Sequence, residues 1–245
     1  MKHYKFTLLF FLLLFISCDV STISDEKLNN LSNIKAQIYI LDGTRNNIIN
    51  DLKVYITDGD KQIINNQIKI ILNEIPLNLK VQQELYYTKK SYYTLDDFPR
   101  SKSYYFEIIL PDSTVYPLAF IKPQNINDSL VFNIPKTISI NKDFTLNWKN
   151  INLPAELEVW KGAQNNLSGE HSGGKYSKTT IHKNINSKTG EYVLPKSYFK
   201  DSIGIARYLE IKLNHHELGL TNPKLLINSD IIYDFAIEKK VDIIE

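Results

Sequence analysis

The segment IKAQIYI, residues 34–40, places an apolar side chain at every second position. Successive side chains of a β-strand point to opposite faces of its sheet, so this period of two predicts a strand that is buried on one side. The same period recurs in five later segments, at residues 52–56, 68–72, 144–148, 209–213 and 233–237. Turn residues separate these short segments, and the chain is therefore predicted to be all-β, built from stacked antiparallel sheets.

Turn signals and a change of strand set organise the predicted sheets. TDGD at residues 57–60 is a strong hairpin signal, because its central Asp-Gly pair suits a tight turn. PDS at residues 111–113 is a weaker signal, and it predicts that the strands on either side of it pair. FNIPK closes one strand set near Pro135. Because sheet faces need cover, we expect an N-terminal β-sandwich domain at residues 34–135 and a C-terminal one at residues 136–245.

The N-terminal residues differ from the rest of the chain. Lys2 and Lys5 precede an unbroken apolar run at residues 8–16, which is typical of a secretory signal. A helix needs about 20 apolar residues to cross a bilayer, so an export signal is favoured over a membrane-spanning helix. Residues 1–17 are predicted to be the signal peptide, and the polar residues 18–33 a flexible tether.

The apolar run ends in Phe15, Ile16, Ser17 and Cys18, the only cysteine of the chain. This order resembles the lipobox of bacterial lipoproteins, with Phe15 where leucine is commonest. The resemblance implies cleavage before Cys18 and a diacylglycerol on its thiol, so that residues 1–17 are a lipoprotein signal peptide and a membrane is a partner. Buried acyl chains give such a cysteine firm membrane attachment. The alternative is a free cysteine at the end of an ordinary signal peptide.

Four segments in the second half carry another resemblance: DFTLNW at residues 143–148, ELEVWK at 156–161, GEYVLP at 190–195 and YLEIKLN at 208–214. In this order they resemble an immunoglobulin-like or fibronectin-like module of bacterial surface proteins. With the lipobox, the whole chain looks like the two-module lipoproteins of the Gram-negative cell envelope. The resemblance implies an Ig-like C-terminal domain and an envelope location, and it implies no activity.

Charge and cysteine content restrict the function further. Removal of residues 1–17 takes away two lysines and leaves 27 basic and 27 acidic side chains. A nucleic-acid-binding protein is expected to carry a basic excess, so nucleic acid is not expected as a partner. With Cys18 lipidated, no thiol remains for a disulfide, and the exported body depends on its hydrophobic core.

Residues with metal-binding or catalytic chemistry occur without a convincing arrangement. His215 and Glu217 share one face of an extended segment, and they would need a further ligand, such as His182 or His171, to suit zinc. The EHS tripeptide at residues 170–172 has hydrolase residue types without the geometry that activates a serine. The aspartate pairs at 58 with 60 and at 96 with 97 supply too few oxygens for calcium. We therefore predict no catalytic residue, no metal site and no cofactor.

Six tyrosines within 20 residues are the strongest binding signal: Tyr86, Tyr87, Tyr92, Tyr93, Tyr104 and Tyr105. Neighbouring tyrosines on a strand face opposite sides, so Tyr87 or Tyr105 is expected to pack inward while its neighbour faces water. Exposed tyrosines suit a sugar ring or a protein partner, and on this basis ligand binding is predicted for Tyr86, Tyr92, Tyr93 and Tyr104. The alternative is cross-strand aromatic pairing that only stabilises a sheet.

These features predict a non-catalytic lipoprotein of the outer envelope, anchored through Cys18, that acts as an interaction or adhesion module. The alternative is a glycan-capturing accessory lipoprotein that uses exposed tyrosines. A metal-dependent hydrolase based on His215 and Glu217 is a third hypothesis. The expected partners are a membrane and an envelope protein or glycan, and the expected location is the outer membrane, with the periplasmic and the surface-exposed leaflet both open.

Overall fold

The computed structural model describes residues 28–45, 48–59, 61–83, 89–96, 98–124, 130–164, 175–201 and 204–245. In this part of the chain the backbone forms β-strands joined by turns, with short 3₁₀ segments at Leu31–Asn33 and Lys196–Phe199. The chain is therefore all-β, as the period of two predicted. The expected lipidation site Cys18 and the tyrosine Tyr86 lie outside the described residues.

The strands are numbered in chain order: β1 Lys35–Arg45, β2 Ile48–Asp58, β3 Lys61–Gln62, β4 Lys69–Leu72, β5 Ile75–Pro76, β6 Asn78–Gln83, β7 Lys89–Thr94, β8 Tyr104–Ile109, β9 Val115–Ile121, β10 Val131–Asn133, β11 Thr137–Ser139, β12 Phe144–Lys149, β13 Ala155–Gln164, β14 Lys175–Ile185, β15 Gly190–Leu194, β16 Lys200–Asp201, β17 Gly204–Leu218, β18 Leu220–Thr221 and β19 Asp230–Ile244.

The described strands form three sheets. In sheet A, β14, β13, β17, β19, β1, β2, β7 and β6 follow one another, while β11, β16 and β3 pair with β19, β17 and β2. Sheet B has the order β18, β9, β8, β4, β5, and sheet C has the order β10, β12, β15. Most pairs are antiparallel, as predicted, but β1 and β11 both run parallel to β19. Local periodicity carries no information on strand direction, which is why these two pairs were not foreseen.

Two clusters of buried apolar side chains lie between the sheets. The first joins sheet A to sheet B, and it includes Ile38, Leu52, Val54, Ile70, Phe106 and Leu118. The second joins sheet A to sheet C, and it includes Leu146, Trp148, Leu157, Ile211, Leu213 and Val241. In β1 the apolar positions of IKAQIYI face inward, with Ile34, Ala36, Ile38 and Ile40 all at most 1% exposed. The period of two therefore identified the inward face correctly in this strand.

The strand β19 contributes to both clusters. Ile231 and Tyr233 belong to the first cluster, and Val241 and Ile243 belong to the second. At 15 residues the strand is long enough to pass beneath both. The first cluster therefore contains side chains that lie well beyond the boundary expected near Pro135.

Both predicted hairpins are present. Thr57 pairs with Gln62 and Asp58 with Lys61, so β2 turns into β3 around Gly59. Ile109 pairs with Val115, so β8 and β9 pair across the PDS segment. The turn chemistry of the sequence was sufficient to place both connections.

A substitution at Gly43 tests how closely β1 approaches β19. Its φ is +111°, and a Cβ at this position would lie 2.0 Å from the Ala236 carbonyl oxygen. Gly59 is the matched control, because its φ is also positive, at +58°, and a Cβ there would meet nothing within 4 Å. We expect Gly43→Ala to lower the free energy of unfolding by about 3 kcal/mol or more, and Gly59→Ala by about 1 kcal/mol. Urea denaturation followed by tryptophan fluorescence measures both, and equal losses would contradict the close approach.

Candidate functional site

The outer face of sheet A carries an aromatic and basic surface, which we call the tyrosine–lysine face: Tyr39, Lys53, Tyr55, Lys90 and Tyr92. The alternation of the strands places these side chains together, because their neighbours along β1, β2 and β7 face the first cluster. The register brings Tyr39 opposite Lys53 across the β1–β2 pair. Sheet B covers only the inner side of these strands, so the outer side is left for contact with other molecules.

The rings of this face are in contact with one another. The Tyr39 and Tyr55 centroids lie 6.0 Å apart with an edge-on geometry, and the Tyr55 and Tyr92 centroids lie 5.9 Å apart. The Lys90 ammonium lies 5.3 Å from the Tyr55 centroid, and the Lys53 ammonium lies 5.9 Å from the Tyr92 centroid. Aromatic and cation–π contacts of this kind hold the rings in fixed positions before any ligand arrives.

The face is concave. A depression of about 510 Å³ is lined by Gln37, Tyr39, Asp51, Lys53, Tyr55 and Lys90. A second depression of about 430 Å³ lies beyond Lys53, and Lys80, Tyr92 and Asp96 are among its lining residues. These volumes are in the range of small-ligand sites, which combine apolar walls with a few polar groups.

The charged groups of the face are already oriented by hydrogen bonds. The Lys53 ammonium donates to the Asp51 carboxylate at 2.6 Å, and this hydrogen bond raises the pKa of Lys53. Burial raises the pKa of the Tyr39 and Tyr55 phenols above their usual value. At neutral pH the face therefore presents protonated phenols and a charged ammonium beside a carboxylate, which can donate to and accept from the hydroxyl groups of a ligand.

Of the four tyrosines predicted to bind a ligand, Tyr86 lies outside the described residues, and the structure does not bring the other three together on one surface. Tyr92 lies on the tyrosine–lysine face, although it is only 8% exposed. Tyr93 and Tyr104 are 2% and 0% exposed and lie in the first cluster, so the structure places these two rings in the core rather than on an exposed strip. Tyr93 lies inward because it pairs with the core residue Val54.

The pair at positions 104 and 105 also differs from the expectation. Tyr104 packs inward, where its hydroxyl accepts a hydrogen bond from the Ser101 amide, and Tyr105 is the outward residue at 40% exposed. Alternation separates the two rings, but only the register with neighbouring strands decides which ring is inside. Sequence reasoning also missed Tyr39 and Tyr55. Both occupy positions between the apolar residues of strands with a period of two, and this position could have indicated that they face outward.

His215 and Glu217 form a structural contact between the two clusters. Both His215 ring nitrogens face oxygen acceptors, namely the Pro154 carbonyl and the Glu217 carboxylate, the latter at 2.8 Å. Glu217 also accepts from the Gln124 amide at 2.9 Å. As the alternation predicted, His216 points the other way, where it contacts Asp234. Because neither nitrogen of His215 is open to an ion, this geometry favours a structural role over zinc binding.

A different group offers metal-ligand atoms. Within the described residues, Glu156, Glu158 and His182 place one ligand atom each within 4.8 Å of one another. These atoms already have partners: His182 contacts Glu156 at 3.0 Å, and Glu158 accepts from Trp160 at 3.1 Å. Hydrogen bonds and an ion pair across β13 and β14 account for the arrangement without an ion, and we assign no metal to it.

The remaining residues that the sequence offered as candidates for calcium binding or catalysis are the aspartate pairs and the EHS tripeptide. Asp96 pairs with Lys80 at 2.7 Å, and Asp58 forms the end of the β2–β3 hairpin. The EHS tripeptide at residues 170–172 lies outside the described residues, as do Asp60 and Asp97. Of the described residues, Asp58 and Asp96 add no ligand to the groups above.

Asp42 is a buried carboxylate that sequence reasoning did not identify. It is 2% exposed, accepts from Arg100 at 2.6 Å and accepts from the Tyr233 hydroxyl at 2.5 Å. Burial and the hydrogen bond to Asp42 raise the pKa of Tyr233. The carboxylate thus ties the segment before β8 to β1 and β19, and its partners compensate for the burial of its charge.

The role of Glu217 is testable through stability. Glu217→Ala leaves a buried His215 nitrogen without its acceptor, and we expect the free energy of unfolding to fall by about 2 to 3 kcal/mol. His216→Ala is the control, because this neighbouring side chain is 53% exposed, and its loss is expected to change stability by about 0.5 kcal/mol or less. Urea denaturation measures both values. A larger loss for His216→Ala than for Glu217→Ala would contradict the structural role.

Comparison with known proteins identifies no family for this chain. No protein-family model matches it, and the search of curated proteins found no match. Among the described residues, no helix has the length and hydropathy needed to cross a membrane. Function is therefore inferred from the residues themselves, chiefly from the tyrosine–lysine face and from the N-terminal sequence.

Proposed function

We propose that this chain is a lipid-anchored protein of the bacterial cell envelope whose β-rich body is a non-catalytic binding module. The observation that carries the binding role is the tyrosine–lysine face, where three tyrosine rings and two lysines line two neighbouring depressions on one side of sheet A. Aromatic rings with ordered polar groups supply the contact area and the hydrogen bonds that binding sites use. No group described above combines a nucleophile with a base that would activate it.

The N-terminal sequence supports the anchor. Lys2, Lys5 and the apolar run at residues 8–16 match an export signal, and Ser17 with Cys18 matches the end of a lipobox. Lipid on this cysteine would keep the binding module at the outer membrane. A module without enzymatic machinery gains from such attachment, because it holds its partner where it is anchored.

We infer further that the body consists of two Ig-like β-sandwiches built on a shared sheet. In support, one buried cluster lies between sheets A and B and another lies between sheets A and C. Facing sheets that enclose an apolar layer are the general plan of sandwich folds. The long strand β19 would then belong to both sandwiches.

The anchor is tested by labelling cells that express the protein with an alkyne-bearing fatty acid. We expect the protein to take up the label and to sediment with membranes, and Cys18→Ala to lose both properties because the thiol that carries the lipid is gone. Ser21→Ala serves as the control, since it changes a nearby polar residue outside the lipobox match. An unlabelled parent protein, or a Cys18→Ala variant that remains in the membrane fraction, would contradict the anchor.

A carbohydrate is the ligand class that the tyrosine–lysine face favours. Sugar rings offer C–H faces that pack on aromatic rings and hydroxyls that exchange hydrogen bonds with charged side chains. Tyr39 and Tyr55 supply the aromatic surface, and Asp51 and Lys53 supply an acceptor and a donor side by side. A glycan-capturing lipoprotein is therefore the second candidate, as a specific form of the binding module.

A glycan array with the purified protein tests this ligand class. Once a binding glycan is found, we expect Tyr39→Ala to weaken its affinity by about tenfold, which is the usual effect of removing one aromatic contact. Tyr105→Ala is a matched control, since Tyr105 is 40% exposed and Tyr39 is 39% exposed, but Tyr105 lies on sheet B. Equal affinities for the parent and Tyr39→Ala would contradict the site. An array without binding would favour a protein partner for the face.

A further inference from the structure

The connection from β17 through β18 to β19 carries the three most exposed large apolar side chains of the described residues. Ile227 is 86% exposed, Leu218 is 78% exposed and Leu220 is 73% exposed. We call these three residues the apolar connection. Single exposed apolar residues are ordinary on protein surfaces, but three in ten residues, all nearly free of protein contact, need an explanation.

Ile227 stands at the tip of a tight turn. The Ser229 amide donates to the Leu226 carbonyl oxygen at 3.2 Å, and Asn228 has a φ of +66°. Asn at this position suits the turn, whereas turn tips usually carry small or polar residues. The fold does not need an isoleucine at the tip, since Leu225 supplies the core contact of this connection.

The turn lies at the end of the body where β1 begins. The Leu226 amide donates to the Ile34 carbonyl oxygen at 2.9 Å, and the Ala36 amide donates to Ser229 at 3.1 Å. Leu218 and Leu220 lie at the same end, because the Gly219 amide between them donates to Ile231 at the start of β19. The exposed apolar residues therefore lie beside the start of β1, and Leu28, the first described residue, belongs to the same buried cluster as Leu225.

The distance to the lipid anchor is short. About ten residues separate Leu28, the first described residue, from Cys18. Even fully extended, they span at most about 36 Å. A lipid on Cys18 therefore keeps Leu28 within about 36 Å of the bilayer.

We propose that the apolar connection docks on the lipid bilayer, with Ile227 inserted among the acyl chains next to the anchor. The inference rests on the lipid anchor of the proposed function. The anchor alone limits only the distance between the body and the bilayer. The inserted side chains add a second contact, which fixes the end of the body that faces the membrane. The strands β1 and β19 begin at this end and lead away from it, so the tyrosine–lysine face stands beside the membrane and open to a ligand.

The experiment uses the full chain, expressed and lipidated in cells and reconstituted into vesicles of phosphatidylethanolamine and phosphatidylglycerol. Ile227→Cys and Val193→Cys each introduce one thiol, because the Cys18 thiol is consumed by the thioether. Val193 is the control, since it is 45% exposed on β15, a strand that packs on the second cluster. Both positions are labelled with a polarity-sensitive maleimide fluorophore.

We expect the label at position 227 to show blue-shifted emission and strong quenching by lipids with brominated acyl chains. The label at position 193 is expected to emit as in water and to resist this quenching. Equal exposure to water at both positions overturns the docking surface while the anchor stands. Reaction of the parent protein with maleimide would show a free Cys18 thiol, which overturns the anchor and the docking inference together.

Discussion

The strand β19 holds the molecule in one sheet because every residue from Asp230 to Ile244 pairs with a neighbouring strand on at least one side, and those from Ile232 to Ala236 pair on both. On one side it pairs with β17 from Ile232 to Asp242, and on the other it pairs first with β1 and then with β11. The two clusters therefore pack on one continuous, hydrogen-bonded sheet. Neither cluster can shift along the other without breaking this ladder, and the contact of His215 with Glu217 and Pro154 fills the space between them.

The candidate binding face and the first cluster are the two sides of the same strands. In β1 and β2, one set of alternate residues makes the core and the other set makes the surface. Sheet B covers one side only, so the aromatic side chains of the other side remain available. Because the core holds the backbone of β1 and β2 in place, Tyr39, Lys53 and Tyr55 project from fixed positions. A ligand can therefore bind them with little loss of conformational freedom.

Local sequence patterns were sufficient for strands with clear alternation, such as β1 and β2, and for two hairpins, and insufficient for β14 and for the arrangement of strands. IKAQIYI and TDGD act within a few residues, so their structure follows from side-chain alternation and turn chemistry. The parallel partner of β1 is β19, which is almost 200 residues away in the chain, and nothing in the sequence of either strand specifies a parallel pair. The same limit explains the tyrosines: alternation showed that Tyr92 and Tyr93 face opposite sides, but the pairing of Tyr93 with Val54 decides which one is buried.

The late position of β19 in the chain has a consequence for folding during synthesis. A polypeptide made from its N-terminus presents β1 long before β19 exists, and until then one edge of β1 has no neighbour. An open strand edge is a template for pairing with other chains. Folding without aggregation therefore requires that the emerging polypeptide be kept apart from its copies until synthesis reaches β19, and the sheet around β1 is completed only after the C-terminal half has been made.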